Sequence, residues 1–310
     1  MEETANVDNA LAVLTVGGFL KRVGLDEFET QRRGGKGIVG GKPKEEDAIF
    51  SITPAHPRDR VLFFTNLGRC YFVESDQIPV MSRYAQGTKA ASLLGLTPEE
   101  HVTFMLAHGG PFEEQPLVLL SKKGMIKRTA LSNFKKSRVG GTVAMSLAEG
   151  DSIRAGYVSA NPGETMIITS SGKAVRFDEN AVRVMGTTAQ GVRGVRLSPE
   201  DAAIAVCPAS EGLNVLVVSE QGFGKLTAQE QFRKTARGAG GVTGAKLNDK
   251  TGKVAFAGTL RTAEIILCSK HGKVIRFASA DVRETGRAAV GVRLMTLEAD
   301  DAVSNGAIIA

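Results

Sequence analysis

Hydrophobic and polar positions along this chain fall into a pattern that returns six times. Each copy opens with three mostly apolar residues, then a Ser or Thr, two spacers and a Gly. The copies are Ala12-Val13-Leu14-Thr15 with Gly18, Leu62-Phe63-Phe64-Thr65 with Gly68, and Val118-Leu119-Leu120-Ser121 with Gly124. They continue with Met166-Ile167-Ile168-Thr169 and Gly172, Leu216-Val217-Val218-Ser219 and Gly222, and Ile266-Leu267-Cys268-Ser269 and Gly272. The glycines are 50, 56, 48, 50 and 50 residues apart. Such a period predicts one supersecondary unit repeated, each copy burying its apolar face against the next.

The apolar triplet is short and rich in β-branched and aromatic residues, which predicts a buried strand. Ser/Thr-x-x-Gly is a tight turn with Gly supplying positive φ, and a returning strand such as Lys173-Ala174-Val175-Arg176-Phe177 completes a hairpin. A second glycine follows at Gly37, Gly87, Gly141, Gly191, Gly241 and Gly291. After it come another apolar stretch, an acidic or Asx turn (Glu149-Gly150-Asp151, Glu200-Asp201, Asp300-Asp301) and a last apolar strand. Four short strands in one repeat are the content of a propeller blade. The reading is an all-β ring of six blades, at about 11–60, 61–113, 114–162, 163–212, 213–262 and 263–310, forming one domain over 11–310. Ring closure would protect strand edges that an open stack exposes. Residues 1–10, acidic and polar, read as a linker or ragged end and not as a secretory signal.

Composition narrows the function. With 42% hydrophobic residues and a mean hydropathy of −0.04 the sequence is that of an ordinary globular domain, and no run approaches the ~18 apolar residues of a membrane span. Cys70, Cys207 and Cys268 are unclustered, which predicts buried, reduced thiols in a reducing compartment. His56, His101, His108 and His271 lack metal-ligand spacing, so neither a metal nor a cofactor is expected.

Charge is the stronger signal. The net charge is +6, and the cations recur at fixed places. After the turn glycine stand Lys21 and Arg22, Arg69, Lys127 and Arg128, Lys173 and Arg176, Lys225, and Lys273 and Arg276. Around the second glycine stand Arg83 and Lys89, Lys135, Lys136 and Arg138, Arg193 and Arg196, Arg233, Lys234 and Arg237, and Arg287 and Arg293. The carboxylates collect in a different turn. This predicts a basic rim, suited to a polyphosphate whose affinity falls with salt. There is no zinc-finger spacing or capped recognition helix, and with no Trp and three Tyr there is no set of stacking platforms for single strands. Duplex backbone binding with bending fits best, at a cost on the order of 1–6 kcal/mol for a 20–30 bp site.

The densest basic element is Gln31-Arg32-Arg33-Gly34-Gly35-Lys36-Gly37. Its glycines admit close backbone approach to phosphate, Arg binds phosphate bidentately and Lys acts as a point charge. Gly35-x-Gly37-x-x-Gly40 also matches a dinucleotide fingerprint, but Gly40-Gly41-Lys42-Pro43 breaks the helix that the fingerprint requires. Nor is Gly41-Lys42-Pro43 a phosphate-binding loop, because Pro43 stands where Ser or Thr would bind magnesium.

The segment Gln31 to Gly37 resembles the signature box of the C-terminal domain of the DNA gyrase A protein. The recurring pattern, for example Gln190-Gly191-Val192-Arg193-Gly194-Val195-Arg196-Leu197, is similar to that family over about residues 11–310. The resemblance implies a six-bladed β-pinwheel, a propeller-like ring whose blades exchange strands. It further implies wrapping of duplex DNA around the rim with positive handedness, the box on blade 1 completing the wrap, so that a bacterial, cytoplasmic holoenzyme introduces negative supercoils. Implied partners are double-stranded DNA, the remainder of the gyrase A protein and, through it, the gyrase B protein. No counterpart of the family's catalytic tyrosine is found: Tyr71, Tyr84 and Tyr157 fall in or beside blade strands, and this piece is expected to cleave nothing. The alternative is a topoisomerase IV-type domain that binds DNA without a strong wrap, but its box is degraded or absent. A protein-binding propeller of the chromosome-condensation-regulator type would typically have seven blades. An enzymatic propeller would want carboxylates or His at the central channel.

Overall fold

The computed structural model describes residues 9–39, 47–136 and 139–309. Six four-stranded antiparallel sheets form a closed ring. The first sheet runs, from the centre outward, Ile49–Pro54, Ala10–Thr15, Phe19–Gly24 and Thr88–Lys89. The innermost strands (here Ile49–Pro54, then Val102–His108, Ile153–Val158, Ala203–Ala209, Val254–Leu260 and Val303–Ile309) line a central channel.

The outermost strand of each sheet belongs to the following repeat. Thr88–Lys89, from the second repeat, completes the first sheet, and Thr142–Val143, Val192–Arg193, Val242–Thr243 and Val292–Arg293 complete the next four. The sixth sheet is completed by Ile38–Val39 from the first repeat, paired through Lys273↔Val39 and Val274↔Ile38. The innermost strands meet at the same seam, where Asn305 Nδ2 donates to Phe50 O at 2.9 Å. The cores lie between blades: Leu11, Val13, Phe28 and Ile49 pack against Ile266, Cys268 and Val274 across the seam. Each such fully buried aliphatic or aromatic side chain contributes about 1.5–3 kcal/mol, so closure is hydrophobic as well as hydrogen-bonded.

Local chemistry explains the repeated motif. In the first, third, fourth and sixth copies the Ser/Thr hydroxyl accepts the amide N–H just past the turn glycine, as Thr15 Oγ1 does from Phe19 at 3.0 Å and Ser121 Oγ from Met125 at 3.2 Å. In the second copy the glycine is demanded twice over. Gly68 has φ +72°, and a Cβ there would collide with Met145 O, because the segment beyond the exchanged strand folds onto it and donates two amides to Gly68 O. The acidic turns serve the same hairpins: Asp47, Asp151, Asp201 and Asp301 accept the amides of Gly17, Lys123, Ser171 and His271 at 2.9–3.0 Å.

Each repeat also contains a one-turn 3-10 helix after its second strand, and the second repeat a short α-helix, Ala90–Leu94, ended by Gly95 in the left-handed conformation. The sequence pattern shows neither. Cys70, Cys207 and Cys268 are buried and unpaired, and burial pushes the Cys207 and Cys268 thiols up to about 12.

Candidate nucleic-acid interface

The predicted rim cations divide into two populations. Lys21, Arg22, Lys127, Arg128 and Lys225 are buried, which corrects the expectation that they meet phosphate. Lys21 Nζ donates to the carbonyls of Ser82, Arg83 and Ala85, and Lys127 Nζ to those of Ala144, Thr187 and Ala189 at 2.8, 2.5 and 3.1 Å. Lys225 Nζ donates to Gly286 O and Arg287 O. Each ammonium thus cages the loop of the next repeat just before its exchanged strand. The stem is apolar enough to be buried, and the three donors satisfy carbonyls that would otherwise be orphaned.

The arginines four residues past the turn glycine act on the next repeat in a parallel way. Arg22 Nε donates to Ile78 O, Arg128 to Glu179 O and Val182 O, Arg176 to Gln229 O and Phe232 O, and Arg276 to Leu25 O and Phe28 O. These carbonyls belong to or cap the 3-10 turns. Arg128 Nε lies 3.1 Å from Glu179 Oε1, Arg176 pairs with Glu164 at 2.5 Å, and Arg276 with Glu264. The carbonyl contacts and the Arg128–Glu179 pair are staples between blades, whereas the Arg176–Glu164 and Arg276–Glu264 pairs brace a single hairpin. A repeated cation reads alike in sequence whether it serves a neighbour or a ligand; what marks the buried ones is a position inside the β-strand rather than at its end.

Burial pushes the Lys127 and Lys225 ammonium groups down to about 8. A lysine with a folded value below its unfolded one binds fewer protons in the folded state, so stability from these groups rises as pH climbs from about 8 toward the ordinary lysine range of ~10.4. In urea titrations the wild-type midpoint should therefore climb relative to Lys127→Met/Lys225→Met between pH 8 and 10. A pH-independent difference would contradict this sign.

The second population faces solvent. Lys89, Lys173 and Arg193 are exposed, and Arg69, Arg83, Arg237, Lys273 and Arg287 are half-buried. Arg138 lies outside the described residues. Arg196, Arg233, Lys234 and Arg293, also singled out by the sequence pattern, are exposed. Lys234 is tied to Glu164 and Asp178 at 3.1 and 3.5 Å, and that pairing raises its pKa.

The box occupies an unexpected place. It lies in the first repeat, but its loop leads into the strand of the sixth sheet and sits on the seam, not on the first blade. Gln31 N–H donates to Arg276 O at 2.7 Å, Gly34 N–H to Leu294 O at 2.7 Å, and Thr296 N–H to Gly35 O at 2.9 Å. Gly34 and Gly37 take φ +83° and +71°, and a Cβ on Gly37 would lie 2.7 Å from Val274 O. Arg33 is exposed yet committed: Nε donates to Asp281 O at 2.5 Å, and a terminal nitrogen points at Arg293 O at 3.5 Å. Arg32 and Lys36 are exposed and find no partner among the described residues.

Tyr71 and Tyr157 are packing groups, as expected, whereas Tyr84 is exposed against Arg83. Tyr71 and Tyr157 donate to Glu100 and Glu179 at 2.8 and 2.9 Å, and burial pushes the Tyr71 phenol up to about 12. The Tyr84 hydroxyl accepts from Arg83 at 2.6 Å. No helix among the described residues is long and apolar enough to cross a membrane.

A family model described as the DNA gyrase C-terminal domain, β-propeller, matches residues 9–56, 59–108, 115–159, 164–206, 213–260 and 263–310. Among curated proteins, the DNA gyrase A protein of Salmonella typhimurium is 34% identical over 238 residues, covering 76% of this chain and 27% of that protein. The DNA gyrase A protein of Haloquadratum walsbyi is 34% identical over 242 residues, covering 76% of this chain and 28% of that protein. The chain thus matches these relatives over about a quarter of their length. A solved DNA gyrase A C-terminal domain superposes with a TM-score of 0.88 at 25% identity, over 97% of this chain and 100% of that one. The C-terminal domain of DNA topoisomerase IV superposes with a TM-score of 0.72 at 19% identity, over 96% and 92%, a likeness of fold.

Proposed function

This chain belongs to the DNA gyrase C-terminal domain family, and from that premise we propose that it binds duplex DNA along its outer edge and wraps it with positive handedness, without itself cutting a strand. The observation that carries the reading is the separation of charge. The acidic turns are drawn into hydrogen bonds with hairpin amides, while the box presents Arg32 and Lys36, exposed and without a partner among the described residues, beside an edge that also exposes Lys89, Lys173, Arg193 and Arg293. Such an edge attracts phosphates, and each neutralised phosphate releases counterions. A box with two exposed cations that have no partner among the described residues favours wrapping over the topoisomerase IV-type alternative of binding without it.

In the whole enzyme the wrap would present a neighbouring duplex segment for strand passage and so support negative supercoiling. The proposed partners are double-stranded DNA, the remainder of a gyrase A protein and, through it, the gyrase B protein; the proposed compartment is the bacterial cytoplasm, at the nucleoid. No cofactor is invoked, since phosphate neutralisation needs only the side chains.

The test is topological. A nicked circular plasmid is sealed with ligase in the presence of increasing protein, the protein is removed and the linking number read. A positive shift that grows with protein is expected. Salt-sensitive binding with no shift would replace wrapping by simple binding.

A further inference from the structure

The register of the six sheets carries a second periodicity. At the outer edge, the first residue of each blade's returning strand pairs with the second residue of the exchanged strand. The pairs are Phe19↔Lys89, Arg69↔Val143, Met125↔Arg193, Lys173↔Thr243, Phe223↔Arg293 and Lys273↔Val39. Every pair holds one cation and one uncharged residue. The cation comes from the exchanged strand in sheets one, three and five, and from the blade's own strand in sheets two, four and six.

The structural repeat is therefore two blades long, three times around the ring. Even-numbered repeats carry both cations, as in Arg69 and Lys89, and pass one back to the preceding blade on the exchanged strand. Odd-numbered repeats carry none at these positions. They supply instead the buried lysines Lys21, Lys127 and Lys225, which cage the loop leading into that strand. The even blades have Tyr71, Val175 and Ile275 in the corresponding place. Strand exchange thus levels an uneven charge in the sequence into one cation per blade.

We propose that these six cross-strand pairs are the phosphate contacts of the ring, and that the pair, not the strand, is the functional unit. The inference rests on the DNA-binding reading above. The cations are held in place: Lys89 Nζ lies 3.8 Å from the centre of the Phe19 ring and donates to Gly17 O at 2.8 Å. The Arg293 guanidinium lies 4.6 Å from the Phe223 ring centre, and Arg69 donates to Gly140 O. A cation over an aromatic face keeps its outward donors free. The Lys273–Glu298 ion pair is with an exposed carboxylate and is screened by salt.

If the pair is the unit, its cation can change strands. The triple variant Lys89→Phe/Arg193→Met/Arg293→Phe removes three contacts. Adding Phe19→Lys, Met125→Arg and Phe223→Arg returns each charge to its pair from the opposite strand. With a linear duplex, the slope of log Kobs against log salt should fall by roughly 3 units in the triple variant and return to within about one unit of wild type in the transposed one. A control lacking three exposed cations elsewhere (Arg58→Ala/Lys250→Ala/Lys253→Ala) should keep the wild-type slope. Circular dichroism and thermal unfolding confirm the fold of each, and should a multiple variant not fold, the single exchange Lys89→Phe against Lys89→Phe/Phe19→Lys reads the same effect at about one unit. A triple variant with an unchanged slope, or a transposed protein as weak as the triple, overturns the inference. A wild-type protein without salt-dependent duplex binding overturns the DNA-binding reading itself.

Discussion

Replacing Arg32, Arg33 and Lys36 together by Ala is expected to abolish the linking-number shift in the ligase assay while leaving much of the affinity for linear duplex. The reason is position. The three cations sit on the seam where the ring closes, so in the proposed wrap they would act on the last stretch of the path, whereas the other exposed cations are spread around the edge. Linear DNA needs only some of those contacts; a chiral wrap must be held at its end. The structure separates the three. Arg32→Ala/Lys36→Ala should reproduce the topological loss with unfolding unchanged, since neither side chain has a partner among the described residues. Arg33→Ala should in addition lower stability, because Asp281 O loses its donor, an effect of about 1 kcal/mol. Equal loss of wrapping and of linear affinity in the triple variant would reduce the box to one more cationic site.

The largest effect on stability is expected at Arg128. Its partner Glu179 is 1% exposed, and the other carboxylate oxygen accepts from Tyr157 and Ser159, both at 2.9 Å. Arg128→Met leaves that carboxylate buried without a countercharge and strips the donors from Glu179 O and Val182 O. Removing one partner of a buried ion pair costs about 3–5 kcal/mol. Urea unfolding of Arg128→Met measures the loss. Because much of the cost is the stranded charge, Arg128→Met/Glu179→Gln should recover part of it. A loss below about 1 kcal/mol, or a double variant no more stable than the single one, would show that the pair is not what ties the third blade to the fourth repeat.

The ring, its blade count and its hairpins are legible in the sequence because each rests on local chemistry: an apolar triplet, a hydroxyl that caps the turn, a glycine with positive φ. The site is legible only in part, for a physical reason. Lys127 and Lys89 look equivalent as repeated cations near a glycine, yet Lys127 sits two residues inside its strand and is buried among carbonyls, while Lys89 ends an exchanged edge strand and is exposed. The pairing of Phe19 with Lys89 joins residues of successive repeats, so comparing repeats position by position shows two uneven repeats and not one even edge. The seat of the box is hidden likewise. Residues 31–37 read as part of blade 1 until the exchanged strand shows them leaning on Asp281, Arg293 and Leu294.

The exchanged strand at the seam has a consequence for how the molecule comes into being. During synthesis the first five sheets each wait only for the repeat that follows, so they can be completed in order as the chain emerges. Ile38–Val39 belongs to the first repeat, but its partner Lys273–Ala278 belongs to the sixth. Until the sixth repeat has been made that short edge lacks its partner strand, and its closure joins residues of very large sequence separation, which makes it slow. Circular permutation would not remove the difficulty. Wherever the circle is cut between repeats, one sheet must borrow its last strand from the far end of the chain, so a new order of blades moves the slow junction around the ring without abolishing it.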